Sequence, residues 1–251
     1  MKGLIGFFDI LGYQNFLKNN SASESALRVL EIITDVPQRA KKFTKEALIA
    51  NKHFDDAHET ISHLVFSDTI VFTLAYPTDA NEAWISNAQT YMAVCSMFLT
   101  VGMFEEGLPI RGVIHEGDFI TKDMCLAGKA IVEAYQLCES LNFSGLVFSK
   151  LLGDRFINLR SDIPTNNDSA FNFTYLAPMN DGSEVKMLMP NFVAMFGASA
   201  TKQVSKNLEE YVMEIFWAHQ KDCPNSVDVK IHNTVKIMRK MLHNNQIHNK
   251  K

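Results

Sequence analysis

The 251 residues, 47% hydrophobic and 21% charged, suffice for a sizeable buried core and carry no compositional sign of disorder. A formal charge of −4 gives no broad basic field, which argues against a nucleic acid duplex held through its phosphates, whereas a small anionic ligand needs only local positive charge. The four cysteines (Cys95, Cys125, Cys138, Cys223) show no CxxC pair and no metal spacing, so they read as reduced thiols of a cytoplasmic protein, and no apolar stretch reaches the ~18–20 residues of a membrane span.

The opening MKGLIGFFDILGY lacks the apolar core and cleavage site of a signal peptide. It reads as a strand over residues 3–10 that ends at an acid and turns through Gly12 into a helix carrying Tyr13, Phe16 and Leu17. Residues 19–24 offer N-cap side chains, and Leu27, Leu30, Ile33 and Val36 then recur at helical spacing, predicting a helix to about residue 50 bent near Pro37. HLVFSDTIVFTL (His63–Leu74) reads as two strands meeting at Ser67-Asp68, a hairpin with an acid at its tip. From Asn81 to Glu106 the residues Trp84, Ala88, Tyr91, Met92, Cys95, Phe98 and Leu99 describe one apolar helix face.

LPIRGVIHEGDFI (Leu108–Ile120) returns to strand with a tight turn expected near Glu116-Gly117; Gly128–Leu141 returns to helix, and Gly145–Ser149 is a short strand. The order to residue 149 contains the ferredoxin-like βαββαβ unit, an antiparallel sheet with helices on one face, so the expected class is α+β. Residues 161–171 read as a surface loop, and two strands near 171–178 and 185–190 are expected to extend the sheet. A mostly helical segment over 203–244, broken at Cys223-Pro224, serves packing or dimerisation. The expected organisation is one domain over residues 1–200 with a helical extension, 201–251, packed on it.

Asp9 and Asp68 each stand at a strand end among residues that read as core, where an ionised carboxylate is costly unless a cation or donor compensates it. Singly, either can be a turn-capping acid. Antiparallel pairing of the two strand ends would bring both to one sheet edge, a donor set suited to oxygen-ligated Mg²⁺ or Mn²⁺. Gly12 just beyond Asp9 lets backbone N–H groups approach phosphate oxygens at a helix start, which together with the acids describes a two-metal phosphoryl-transfer site.

FFDILGY (Phe7–Tyr13) and FSDTIVF (Phe66–Phe72) resemble the F-x-D-I-x-G-F opening and the second metal-aspartate hairpin of class III nucleotidyl cyclases. LPIRGVIHEGDF (Leu108–Phe119) and GKAIVEAYQLCE (Gly128–Glu139) are similar to that family's R-x-G-I-H-x-G strand and its G-x-x-V-N-x-A-x-R helix, so four motifs in order cover about residues 5–140. The resemblance implies a catalytic domain with extra strands and C-terminal helices, and two divalent ions, Mn²⁺ or Mg²⁺, held by Asp9, Asp68 and the Ile10 carbonyl. It places the triphosphate on the backbone from Phe8 through Leu11, Gly12 and Tyr13, and it implies a homodimer with active sites at the interface.

The departures are equally specific. The family's transition-state Asn and Arg fall on Val132 and Gln136, and its base-reading positions fall near Ser62 and Cys125. IRG in the third motif and GKAIVEAY in the fourth look most like the bacterial pyrimidine cyclases of antiphage Pycsar systems, which implies cUMP or cCMP as product and a product-gated effector as partner. UTP is favoured over CTP because no acid stands at the base-reading position to accept a cytosine amino group. Arg111 is expected either to contact base or phosphates or to form a strand-edge salt bridge. His115 reads as a proton carrier or a packing residue, and Lys129 and Glu133 as nucleotide contacts or a solvated helix face. The alternative function is a catalytically inactive nucleotide-binding or dimerisation module.

Overall fold

In the computed structural model, the described residues are 1–20, 24–50, 57–76, 81–123, 125–159, 172–195, 204–220 and 226–248. Strands β1 (Lys2–Ile10), β2 (Ser62–Phe66), β3 (Thr69–Ala75), β4 (Ile110–Asp118) and β7 (Gly145–Phe148) form one sheet in the order β2-β3-β1-β4-β7. β1 runs antiparallel to both β3 and β4, β2 antiparallel to β3, and β7 parallel to β4. The first four strands therefore have the antiparallel ferredoxin-like arrangement, with β7 added beside β4, and the chain is an α+β protein.

β1 is buried along nearly its whole length because both of its faces are covered. Even-numbered residues face α4 (Asn81–Thr100), against which α2 (Glu24–Ala50) packs: the Phe8 ring meets Phe72 of β3 and Phe98 of α4 edge to face. Two glycines make room for that ring. A Cβ on Gly6 would lie 2.8 Å from it, and one on Gly112, directly across the ladder, would fall onto it. Odd-numbered residues face α5 (Lys129–Ser140), where Phe7 meets Tyr135. The sequence reading put the helices on one face; α5 closes the other.

Three further expectations change. β4 runs unbroken through Glu116-Gly117 to Asp118 instead of turning there. Gly117 pairs with Gly3 in the ladder, and a Cβ on it would lie 2.6 Å from that of Ala130, so this glycine admits α5 rather than making a turn. The two later strands, β8 (Asn172–Pro178) and β9 (Glu184–Pro190), do not extend the main sheet. They satisfy each other's backbone as a separate antiparallel hairpin packed beside β7. The hairpin β5 (Ile120–Lys122) and β6 (Cys125–Ala127), and the helix α6 (Lys150–Leu159), were not anticipated. The expected loop over 161–171 and the break at Cys223-Pro224 lie outside the described residues.

Pro37 stands inside α2, as the sequence placed it. Two short helices, α1 (Tyr13–Asn19) and α3 (Ala57–Thr60), complete the N-terminal part. At the other end, α7 (Leu208–Trp217) stacks Tyr211 on Phe104, and α8 (Ser226–His248) buries Val235, Met238 and Met241. Thr234 of α8 accepts the Ser144 N–H at 2.9 Å, and Asn191 donates to Asn245 at 2.8 Å. Among the described residues no helix is long and apolar enough to cross a membrane.

Candidate functional site

Antiparallel register does the first work at the site. Asp9, one residue from the end of β1, lies directly opposite Thr69 of β3 on one side and Arg111 of β4 on the other. Asp68 immediately precedes Thr69, and its carbonyl accepts the Ile10 N–H at 3.1 Å. Both acids therefore arrive at one end of the sheet. They line a single cleft of about 460 Å³ together with Ile10, Leu11, Gly12, Tyr13, Arg111 and Glu139.

The two turns that frame the cleft are both conformationally demanding. Gly12 takes φ 80°, which lets β1 swing into α1 within two residues. At the β2–β3 turn Ser67 takes φ 56°, a region unfavourable to a residue with a Cβ. The Tyr13 phenol is raised above its ordinary value, chiefly by burial, while a hydrogen bond with Ser67 acts the other way.

Asp9 stands among opposing electrostatic influences. Burial pushes its carboxyl above the usual carboxylate range, the Arg111 guanidinium draws it back down, and the nearby Asp68 and Glu139 push it up again. Arg111 is itself buried and heavily engaged. Its Nε donates to Asp9 Oδ2 at 2.8 Å, one terminal nitrogen donates to the Glu139 carbonyl at 3.0 Å, and the other pairs with the Glu139 carboxylate. Of the two expectations for Arg111, an internal salt bridge is the geometry found, and it bridges β1 to the end of α5.

The donor set fits a hard divalent cation. Asp9 and Asp68 offer carboxylate oxygens and Ile10 lies between them in the same wall, which matches an ion that takes one or two carboxylates and completes its shell with water and phosphate. Among the described residues no group of three or more His, Cys, Asp or Glu is placed to hold a metal ion.

Other residues singled out in the sequence fall elsewhere or are narrowed in role. Phe8 is fully buried on the α4 face, opposite to Asp9, because alternate residues of a strand point to opposite sides; it belongs to the core and does not line the cleft. The Leu11 N–H is already taken by the Pro109 carbonyl at 2.8 Å, while Gly12 and Tyr13 line the cleft beside it. His115 is buried under α5, with Ser149 Oγ at 2.8 Å from Nδ1 and Glu133 at 3.3 Å from Nε2, and does not line the cleft. Lys129 is solvent-exposed and pairs with Glu133 one turn on. Val132 and Gln136 lie on the exposed side of α5, and Ser62 and Cys125 are exposed on β2 and β6.

Sequence reading missed Tyr135 and Glu139 of α5, Phe216 of α7, and Val227 and Lys230 of α8, all of which line the cleft. Glu139 was visible as the last acid of the fourth motif, but nothing marked it as Arg111's partner. No local pattern could have drawn Lys230 to Asp9, because the two are far apart in sequence.

No known protein-family description matches the chain, and no curated protein does either. Several solved structures are similar at low identity. The guanylate cyclase domain of RhGC from Catenaria anguillulae, in complex with GTP, is 11% identical over 75% of this chain and 95% of that one, at a TM-score of 0.46. The monomeric guanylyl cyclase domain of the RhoGC fusion protein from Blastocladiella emersonii gives 10%, 75% and 94% at 0.48. An adenylate/guanylate cyclase/hydrolase from Silicibacter pomeroyi gives 14%, 76% and 97% at 0.34. At such scores the likeness decides neither family nor reaction, and both have to be read from the residues of the cleft.

Proposed function

We propose that this protein is a metal-dependent nucleotide cyclase of the class III type that converts a pyrimidine nucleoside triphosphate, UTP ahead of CTP, to its 3′,5′-cyclic monophosphate and pyrophosphate. The observation that carries this reading is the arrival of Asp9 and Asp68 in one cleft beside the Gly12 turn. In the reaction the ribose 3′ oxygen bonds to the α-phosphorus and the bond from that phosphorus to the β-phosphate bridging oxygen breaks. Pyrophosphate leaves with the electron pair, and the 3′ proton passes to solvent.

Asp9, Asp68 and the Ile10 carbonyl would hold two divalent ions, Mn²⁺ or Mg²⁺. Such ions, when bound, lower the pKa of the 3′-hydroxyl and neutralise charge on the phosphates. The chain's own residues do the rest by positioning. Arg111 holds Asp9 in one orientation and offsets the cost of its burial, and the N–H groups of Gly12 and Tyr13 receive phosphate oxygens. Exposed Cys125 and Ser62, in place of a base-reading acid and lysine, disfavour a purine, and the lack of an acid there favours uracil over cytosine. The resemblance to Pycsar cyclases supports a cytoplasmic homodimer that makes a second messenger in antiphage defence for a product-gated effector.

One observation favours a second reading. The Arg111 pair already gives Asp9 a counter-charge without any metal, which suits a nucleotide-binding module without turnover. Incubating the protein with each of ATP, GTP, CTP and UTP plus Mn²⁺ and separating the products decides between them. A cyclic pyrimidine nucleotide is expected, with Asp68→Ala lowering kcat on the order of 100-fold or more; triphosphate binding without any cyclic product selects the module.

A further inference from the structure

The helix α8 places a lysine in the cleft from the same chain. Lys230 lines it beside Arg111, and its ammonium group donates to two neutral amide oxygens, Asn142 Oδ1 at 3.0 Å and Asn180 Oδ1 at 3.5 Å. Among the described residues it forms no ion pair with a carboxylate. The neighbouring carboxylates, Asp9 and Glu139, are both engaged by Arg111.

We propose that Lys230 binds the phosphates of the substrate, so that the C-terminal helix supplies in cis a cation that the α5 positions Val132 and Gln136 cannot. The ligand class rests on the cyclase reading above; the residue and its source do not follow from it.

Three observations carry this assignment. The first is charge. The cleft holds three carboxylates, Asp9, Asp68 and Glu139, against two cations, Arg111 and Lys230, so it carries about one net negative charge. Two divalent ions would turn it strongly positive, matched to a triphosphate. The second is rigidity. α8 is fixed to the 142–144 segment by Asn233 donating to the Asn142 carbonyl at 2.9 Å and by Thr234 accepting the Ser144 N–H at 2.9 Å. A charge held that way needs little reorganisation when phosphate arrives.

The third is the cost of leaving it alone. Burial lowers the affinity of Lys230 for its proton and the Arg111 charge lowers it further, so an anion in the cleft relieves a penalty that the amide oxygens leave in place.

Lys230→Gln keeps hydrogen-bond donors for Asn142 and Asn180 while removing the charge, and Lys230→Arg keeps the charge. Binding of inorganic pyrophosphate with Mn²⁺, measured by calorimetry, is expected to weaken about tenfold in Lys230→Gln and to be largely retained in Lys230→Arg. For the pyrimidine triphosphate that the wild type turns over, kcat/KM falls by about 100-fold in Lys230→Gln with no fall in melting temperature. Equal pyrophosphate affinity in wild type and Lys230→Gln overturns the proposal even if the protein is an active cyclase. Tight pyrophosphate binding that depends on Lys230, in a protein that makes no cyclic nucleotide, upholds it and overturns the cyclase reading alone.

Discussion

Burial holds the Asp9 carboxyl above its usual range, and Arg111 only partly offsets that burial. A raised folded-state pKa means that the folded chain binds this proton more readily than the unfolded one. Between the ordinary value of 3.8 and the raised one, stability from Asp9 therefore declines as pH rises. A divalent cation would remove the same penalty by taking the place of the proton. Mn²⁺ is expected to raise the melting temperature near neutral pH, less so in Asp9→Asn and Asp68→Asn. The rise should shrink on acidification sooner than for an ordinary carboxylate site, because proton and cation compete for Asp9. Scanning fluorimetry across a pH series checks this, and equal Mn²⁺ shifts in all three proteins would remove the metal site. Both acids and the glycine between them were legible in the sequence, since each interrupts an apolar run. The state of Arg111 was not: a lone arginine in a strand gives no sign of whether its guanidinium faces a ligand or a neighbouring carboxylate.

Among the elements, β1 does two jobs through its alternation. Its even residues anchor the α4 core through Phe8, and its odd residues carry Phe7 and Asp9 toward α5 and the cleft. Gly112 is the spacer that keeps those jobs compatible, because any side chain there would occupy the Phe8 ring's place. Gly112→Ala is expected to cost about 2 kcal/mol of stability, read from urea unfolding, and to disturb the neighbouring Arg111 and hence Asp9. The hairpin shows the opposite case. Ser67 in the left-handed region costs about 1 kcal/mol, so Ser67→Gly should stabilise the fold modestly in the same urea unfolding. The βαββαβ order was readable from periodicity and turn residues. The continuation of β4 through Gly117 was not, because a glycine that admits a helix looks the same in sequence as one that makes a turn.

At the scale of the molecule, α5 covers the sheet with one side and presents Val132 and Gln136 to solvent with the other. If the protein is a homodimer with sites at the interface, this face is where the second chain would lie. Replacing Val132 and Gln136 together by Asp should then shift the mass measured by light scattering from dimer to monomer and lower turnover in parallel. A monomeric wild type that makes cyclic nucleotide would show that the cleft is complete within one chain, as the in-cis position of Lys230 allows.

The sequence by itself determined the α+β class, the order of the first strands and the candidacy of Asp9, Asp68 and Gly12, because these depend on alternation, helical spacing and turn chemistry among near neighbours. Only the tertiary structure decided that Arg111 is locked between Asp9 and Glu139, that β8 and β9 stand apart from the main sheet, and that α8 brings Lys230 to the cleft. Those outcomes depend on ladder register and on packing between segments far apart in the chain, and no local pattern of residue types encodes either.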